Sequence, residues 1–226
     1  MKSVGEILQF YDSDKQFPTF GFGGKLRVGV DYSGAASHCF ALNGNIFDPE
    51  CDGLDGVLEA YTHALHNTDL YGPTHFNKVI ETVNDMAEGL EVSQRNQKYI
   101  ILLIITDGII NDMDKTIDQI VRGSSLPLSI IIVGVGEADF SSMDVLDADD
   151  TPLYSKRFKK YMSSDIVQFV PFSEFKHDPR LLAKETLEEV PRQFLDFMNR
   201  NNILPKSTYE EQKAQIKRAL SSKKSM

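Results

Sequence analysis

The chain has 226 residues, 41% of them hydrophobic, and 24 Lys and Arg against 33 Asp and Glu give a formal charge of -9. That length can bury one sizeable core. The acidic balance argues against a nucleic-acid partner and against a whole-surface pull toward anionic lipid, since both need clustered cations.

In chain order, Ser3-x-x-Glu6 followed by Ile7, Leu8 and Phe10 is a capping-box start and predicts a helix ending near Asp12-Ser13-Asp14. Phe17-Pro18-Thr19-Phe20-Gly21-Phe22-Gly23-Gly24 reads as a short aromatic strand, Lys25 to Ser37 as a Gly-rich loop and Cys39 to Leu42 as an edge strand. Helical spacing places Leu54, Val57, Leu58, Tyr61 and Leu65 on one face of a helix from about Leu54 to His66. A second helix, from about Phe76 to Gly89, turns Phe76, Val79, Ile80, Val83 and Ala87 inward.

The run Tyr99 to Thr106 is apolar without interruption and stops at Asp107-Gly108. A strand apolar on both faces belongs in the middle of a parallel sheet covered by helices. Ligands of such sheets bind beyond the carboxyl ends of the strands, where Asp107 would sit; the same residue could equally just start a turn. A helix near Lys115 to Val121 follows, then a second apolar strand from Leu128 to Gly134. Met143 to Leu146 reads as a short helix or turn, and Ile166 to Phe172 as a last strand. Leu181 to Met198 reads as one long helix kinked by Pro191, and Ser207 to Leu220 as a final amphipathic helix opened by Ser207-x-x-Glu210. Strands alternating with helices predict an α/β protein.

Two cysteines, Cys39 and Cys51, make no disulfide framework and no four-cysteine zinc site, which points to a reducing compartment. Met1 to Glu6 has no signal core, and no apolar run approaches the roughly 20 residues of a membrane span. The expected location is therefore cytoplasmic. The basic residues Lys213, Lys217, Arg218, Lys223 and Lys224 are read as the only basic cluster, a solvated tail. His63 and His66 could share a helical face but lack a carboxylate at ligand spacing; His38, His75 and His177 stand alone. Asp144, Asp147, Asp149 and Asp150 lack the spacing of a calcium loop. Gly21-Phe22-Gly23-Gly24 precedes no helix and makes a poor phosphate cradle. No nucleophile elbow, Walker loop or dinucleotide fingerprint occurs, so the chain is expected not to be an enzyme.

Several segments, taken in order, resemble the copines. They are Tyr11-Asp12-Ser13-Asp14-Lys15, Phe20-Gly21-Phe22-Gly23, Asn43-Gly44, Leu70-Tyr71-Gly72-Pro73-Thr74 and Ile105-Thr106-Asp107-Gly108. Ala138-Asp139-Phe140, Leu146 to Asp150, Asp165 to Phe172 and Glu189-Val190-Pro191 continue the series. The resemblance implies a copine-type A domain over residues 1–206, followed by an amphipathic helix and basic tail over 207–226. It also implies a three-layer, Rossmann-like von Willebrand factor A fold, with a mainly parallel six-stranded sheet and helices on both faces.

The same resemblance implies a metal-ion-dependent adhesion site. Thr74 would be its second-loop ligand and Asp107 its third-loop ligand, for Mg or Mn. The first strand and its Asp-x-Ser/Thr-x-Ser loop would precede the opening helix, where only Met1 to Ser3 stand. The expected site is therefore partial and weak, and the expected sheet lacks its first central strand. Asp31-Tyr32-Ser33-Gly34-Ala35 imitates the missing loop, but it lacks the last Ser and comes late in the order. Calcium and phospholipid binding belong, in the family, to domains with no counterpart here, so plasma-membrane association would come only through them.

The implied function is a non-catalytic module binding intracellular proteins through the crevice rim, Tyr71 to His75, Asp107 to Asp114 and Glu137 to Phe140. The alternative is the copine-like domain of an E3 ubiquitin ligase. It is disfavoured because Lys206 to Met226 holds no Cys or His for a RING.

Overall fold

The computed structural model describes residues 2–9, 11–12, 14–27, 34–148, 151–206, 209 and 211–214. Helix α1 (Lys2–Leu8) leads into five short strands, β1 (Gln16–Pro18), β2 (Phe20–Gly21), β3 (Gly24–Leu26), β4 (Phe40–Ala41) and β5 (Glu50–Asp52). Then come α2 (Gly53–His66), β6 (Thr68–Leu70), α3 (Asn77–Glu88), β7 (Ile100–Thr106), α4 (Met113–Gly123), β8 (Leu128–Gly134) and α5 (Ser141–Asp147). The chain continues through β9 (Tyr154–Ser155), β10 (Lys160–Tyr161), β11 (Val167–Pro171), α6 (Phe172–Phe175), α7 (Pro179–Leu187) and α8 (Val190–Arg200). Phe10, Ser13, the Asp31-Tyr32-Ser33 triplet, Asp149, Asp150 and most of the expected 207–220 helix lie outside the described residues.

The fold is mixed α/β around a parallel three-stranded sheet in the order β11-β8-β7. β8 runs through the middle and is buried at every position. Because side chains alternate across a strand, its Ile130 and Ile132 face a core shared with Phe76, Ile80 and Val83 near α3, Ile120 and Val121 of α4 and Met143 and Leu146 of α5. Its Ile131 and Val133 face the other way, toward Val190, Leu187 and Leu8. Val4 and Leu182 meet Val170 on that same side. At about 25 cal/mol per Å² of apolar surface, this two-sided burial is the main source of stability.

β7 departs from expectation. Placed by its apolar run in the middle of the sheet, it is the edge strand among the described residues, paired with β8 alone. Only Ile104 and Thr106 are buried along it. An apolar run reports that both faces are covered by helices and says nothing about whether both ladder sides are filled. Ile100 N–H donates to Pro127 O at 2.8 Å and Val135 N–H to Thr106 O at 2.8 Å. The intervening alternation therefore points the N–H and C=O of Ile101, Leu103 and Ile105 away from β8, toward the unpaired edge. In place of six strands in one sheet, the described residues give this three-stranded sheet plus two-stranded antiparallel pairs, β1–β5, β2–β4, β3–β6 and β9–β10.

Other elements shift for local reasons. α1 already begins at Lys2, so Ser3 is inside the helix and not at its cap. The long helix expected over 181–198 is two helices, α7 and α8, broken at Glu188-Glu189. Pro191 has no N–H and its ring would clash with the carbonyl of Leu187, so it sits in the first turn of a new helix instead. None of the α2 stripe is buried; Tyr61 is 36% and Leu65 44% exposed. α2 packs on α1 and on β1, β5 and β6, strands of three residues each that are too short to cover its stripe. β5, β6 and the β9–β10 hairpin are strands of two or three residues, too short to carry a periodic signal, and β3 corrects the start of the segment read as a Gly-rich loop from Lys25. That hairpin also corrects the count of basic clusters: Lys156, Arg157, Lys159 and Lys160 form a second one, inside the described fold.

Tyr99 closes the amino end of β7. Its hydroxyl meets Ser129 Oγ at 2.9 Å, and its ring stands edge-on to Phe194 and Phe197, with centroids 5.3 and 6.0 Å away. Burial pushes its phenol up to about 12, against the opposing pull of the Ser129 hydrogen bond.

Two measurements check these features. In native-state hydrogen exchange, the amides of Ile101, Leu103 and Ile105 are expected to exchange at least about 100-fold faster than those of Ile130 to Val133, the spread that separates open edges from core strands; equal protection would mean the edge is filled. For Tyr99, the unfolded phenol ionises near 10 and the folded one near 12. Its contribution is whole below pH 10 and is lost as pH rises through that window. Tyr99→Phe is therefore expected to flatten the alkaline limb of a stability-against-pH curve from denaturant melts.

Candidate functional site

The carboxyl end of β7 delivers Thr106, Asp107 and Gly108 to the surface. Thr106 is buried and Asp107 exposed. The Thr106 hydroxyl donates to Gly108 O at 3.2 Å and lies 3.3 Å from Gly108 N, which folds the chain back at once. A methyl group at Gly108 would lie 3.1 Å from Thr74 Oγ1, a tight contact that the hydroxyl would have to yield to. The loop before α3 thus rests against the loop after β7.

Two residues hold this approach. Asn111 N–H donates to Thr74 O at 2.9 Å, and Asn111 Oδ1 accepts from Thr74 N–H at 2.8 Å. Asp112, only 8% exposed, does more. Its Oδ1 accepts from Phe76 N–H at 3.1 Å and from the Thr116 hydroxyl at 3.2 Å, and its Oδ2 accepts from Asn77 N–H at 3.0 Å. The first backbone donors of a helix have no intrahelical acceptor. Asp112, at the start of α4, supplies it to α3, where a negative charge also suits the helix dipole. A third segment closes the rim at the end of β8. There Phe140 packs so closely on Gly134 that a methyl group at that glycine would sit 3.0 Å from the ring. Asp139 next to it accepts from Ser141 N–H at 3.0 Å, which holds its carboxyl below the usual range.

Thr74 and Asp107 therefore belong to adjoining loops at one end of the sheet. Between them they offer one hydroxyl and one carboxylate, because Asp112 is committed to α3 and Thr116. Among the described residues, no three His, Cys, Asp or Glu side chains converge on a metal-sized site.

The histidine reading needs one correction. His38 and His75 do not stand alone: their rings stack with centroids 4.3 Å apart and planes at 41°. His38 Nδ1 is buried without a hydrogen-bond partner. Burial and the His75 neighbour lower its pKa, against the opposing Asp112 charge. Residues 38 and 75 meet only through tertiary packing, so no sequence spacing announces them. His63 and His66 lie in the last turn of α2 and serve local contacts: His66 Nδ1 sits 2.7 Å from Thr62 O and His63 Nε2 3.1 Å from Asn67 Nδ2. Cys39 and Cys51 are both free thiols. Burial pushes the Cys39 thiol up, the opposite of what a nucleophile needs. Asp112 escapes sequence reading because an Asp just before an apolar helical pattern reads as the cap of its own helix, and here it caps another.

No helix among the described residues is long and apolar enough to cross a membrane. Compared with protein families, the chain matches the model described as Copine over residues 1–206.

Asp112→Ala leaves two backbone donors at the head of α3 and the Thr116 hydroxyl without their acceptor. The expected cost is about 2–4 kcal/mol in urea denaturation, the range for buried donors deprived of a charged partner. Asp112→Asn, which keeps one acceptor oxygen, is expected to recover part of it.

Proposed function

We propose, from the premise that this chain belongs to the copine family, that it is a non-catalytic protein-binding module of the von Willebrand factor A type. Its parallel sheet is then the centre of a three-layer fold, and apolar cores on both sheet faces support that reading. The partners are intracellular proteins, held at the rim made by Tyr71 to His75, Asp107 to Asp114 and Glu137 to Phe140. The observation that carries the proposal is the meeting of Thr74 with Asp107-Gly108 beyond the end of β7. Crevices past the carboxyl ends of parallel strands are where such sheets bind ligands.

The donor set does not fit a resident Mg or Mn ion. Mg prefers octahedral coordination that includes well-placed carboxylates, and one exposed carboxylate beside one hydroxyl leaves most of that shell to water. The rim's own groups are therefore what a partner meets: the exposed Asp107 carboxylate, the Thr74 hydroxyl and the apolar Tyr71 and Ile109, which are 52% and 48% exposed. Plasma-membrane recruitment and calcium response would reach this chain through other domains.

Two experiments test this reading. Affinity capture with the wild-type chain and with Thr74→Ala/Asp107→Ala, quantified by mass spectrometry, is expected to show specific partners depleted about tenfold in the variant, equivalent to about 1.4 kcal/mol of lost contacts. Retention of every partner by the variant would reject the rim. Titration calorimetry with MnCl2 and MgCl2 is expected to give no micromolar binding; micromolar affinity abolished by Asp107→Ala would restore a metal-dependent mechanism.

A further inference from the structure

The rim leaves unexplained the most basic surface of the described fold. Lys156, Arg157, Lys159 and Lys160 place four cations in five residues of a chain whose net charge is -9. They occupy the tip of the β9–β10 hairpin, interleaved with aromatic rings. Tyr154 and Tyr161 pair across the ladder with centroids 4.9 Å apart and are 44% and 61% exposed, and Phe158 is 37% exposed.

The tip is held rigidly. Ser155 is fully buried, donates to Asp118 Oδ1 of α4 at 2.6 Å and accepts from Phe158 N–H at 2.9 Å. Lys159 turns the chain with a φ of 52°, and Met162 N–H closes the ladder onto Leu153 O at 2.9 Å. Lys156 is paired with Asp114 at 3.0 Å, while among the described residues Arg157, Lys159 and Lys160 have no carboxylate within ion-pair distance. Below the tip lies a cleft of about 320 Å³ lined by Glu81, Gln119, Arg122, Arg157, Phe158 and Lys160.

We propose that this cleft binds an extended acidic peptide segment of a partner protein, whose carboxylates meet Arg157 and Lys160 while an aromatic or aliphatic side chain packs on Phe158. The charge pattern of the same face selects a peptide over a broader anion. Arg122 at the cleft wall is already paired with Asp85 at 2.6 Å and Glu88 at 2.9 Å, and Glu81 lines the cleft itself. A flat anionic membrane or a duplex would press continuous negative charge against those carboxylates. A single strand of peptide can set its carboxylates against Arg157 and Lys160 and keep them off Glu81. The guanidinium of Arg157 suits bidentate pairing with a carboxylate, and a tip fixed through Ser155 has little ordering entropy left to lose on binding.

The probe is a fluorescein-labelled peptide that alternates paired glutamates with single phenylalanines, read by fluorescence anisotropy on the whole chain. The expected result is saturable binding that weakens as salt rises. Arg157→Glu/Lys160→Glu is expected to weaken it at least about tenfold and Phe158→Ala about threefold, as losses of charged and apolar anchors imply. Lys176→Glu, on the opposite face of the sheet, is expected to leave affinity unchanged. Matching circular dichroism melts confirm that the variants are folded, and Arg157→Gln/Lys160→Gln repeats the test without reversing charge. Equal binding by all variants, equal binding of a peptide with glutamine in place of glutamate, or tighter binding to phosphatidylserine vesicles or duplex DNA would each overturn the proposal.

Discussion

The carboxylate of Asp112 is the constraint on which the site depends. Placed at the start of one helix, it accepts the first backbone donors of another, 35 and 36 residues earlier in the chain, and the hydroxyl of Thr116 as well. It fixes where α3 begins, and the loop ahead of α3 has no freedom left in its last residues. Thr74 is carried with it, so that its hydroxyl comes against the turn at Gly108. Were α3 free to slide by one turn, about 5.4 Å, the two loops would part and no crevice would remain. A neutral side chain could fill the space of Asp112, but it would neither accept from two N–H groups nor complement the positive end of the helix.

The sheet supplies the platform with an asymmetry of its own. β8 is enclosed on both faces and both edges, while β7 is as apolar and has, among the described residues, only one neighbour. Edge strands as apolar as Ile100–Thr106 usually carry a charge, a proline or a bulge that blunts further pairing, and this one carries none. Among the described residues nothing pairs with the polar backbone groups of Ile101, Leu103 and Ile105, and the open side of β7 is where pairing is weakest. Apolar cover from Val4, Leu8 and Val190 on one face and from Phe76 and Ile80 on the other keeps the strand in place from above and below.

How much of this was legible in the residues depends on the range of the interaction. The periodic helices α3 and α4 and the apolar strands β7 and β8 emerged close to where hydrophobic pattern put them, because side-chain burial acts on period alone. The end of the apolar run points to Asp107, and only motif resemblance points to Thr74, because resemblance carries information that periodicity lacks. The errors share a cause. Pattern alone gives a kink at Pro191 in place of the break between α7 and α8, because a proline's position relative to a helix start is a matter of one turn. The edge position of β7 depends on ladder neighbours, which composition does not encode. His38 against His75 and Asp112 against α3 are meetings across tens of residues with no local mark. The two-residue strands β9 and β10 have no period to detect, and the run of cations between them carries no strand signal of its own.

α4 ties these observations into one mechanical unit. Its amino end is fastened to α3 by Asp112, whose carboxylate also accepts from the Thr116 hydroxyl of α4 itself, and its middle by Asn84 Nδ2, which donates to Gln119 O at 2.9 Å in a buried setting. Gly123 lies so close to α3 that a methyl group there would meet Asn84 Oδ1 at 2.5 Å. One turn apart on the outward face, Asp114 and Asp118 take Lys156 and Ser155 of the hairpin. Rim and hairpin are therefore both fixed to a single helix, the rim at Asp112 and the hairpin at Asp114 and Asp118, and that helix cannot rotate without breaking a buried amide contact. At 1.5 Å per residue, the span from Asp112 to Arg122 is about 15 Å, within the reach of a few extended residues. On the two proposals made above, one polypeptide that engaged both surfaces would form its second contact at the high effective concentration that a short tether gives.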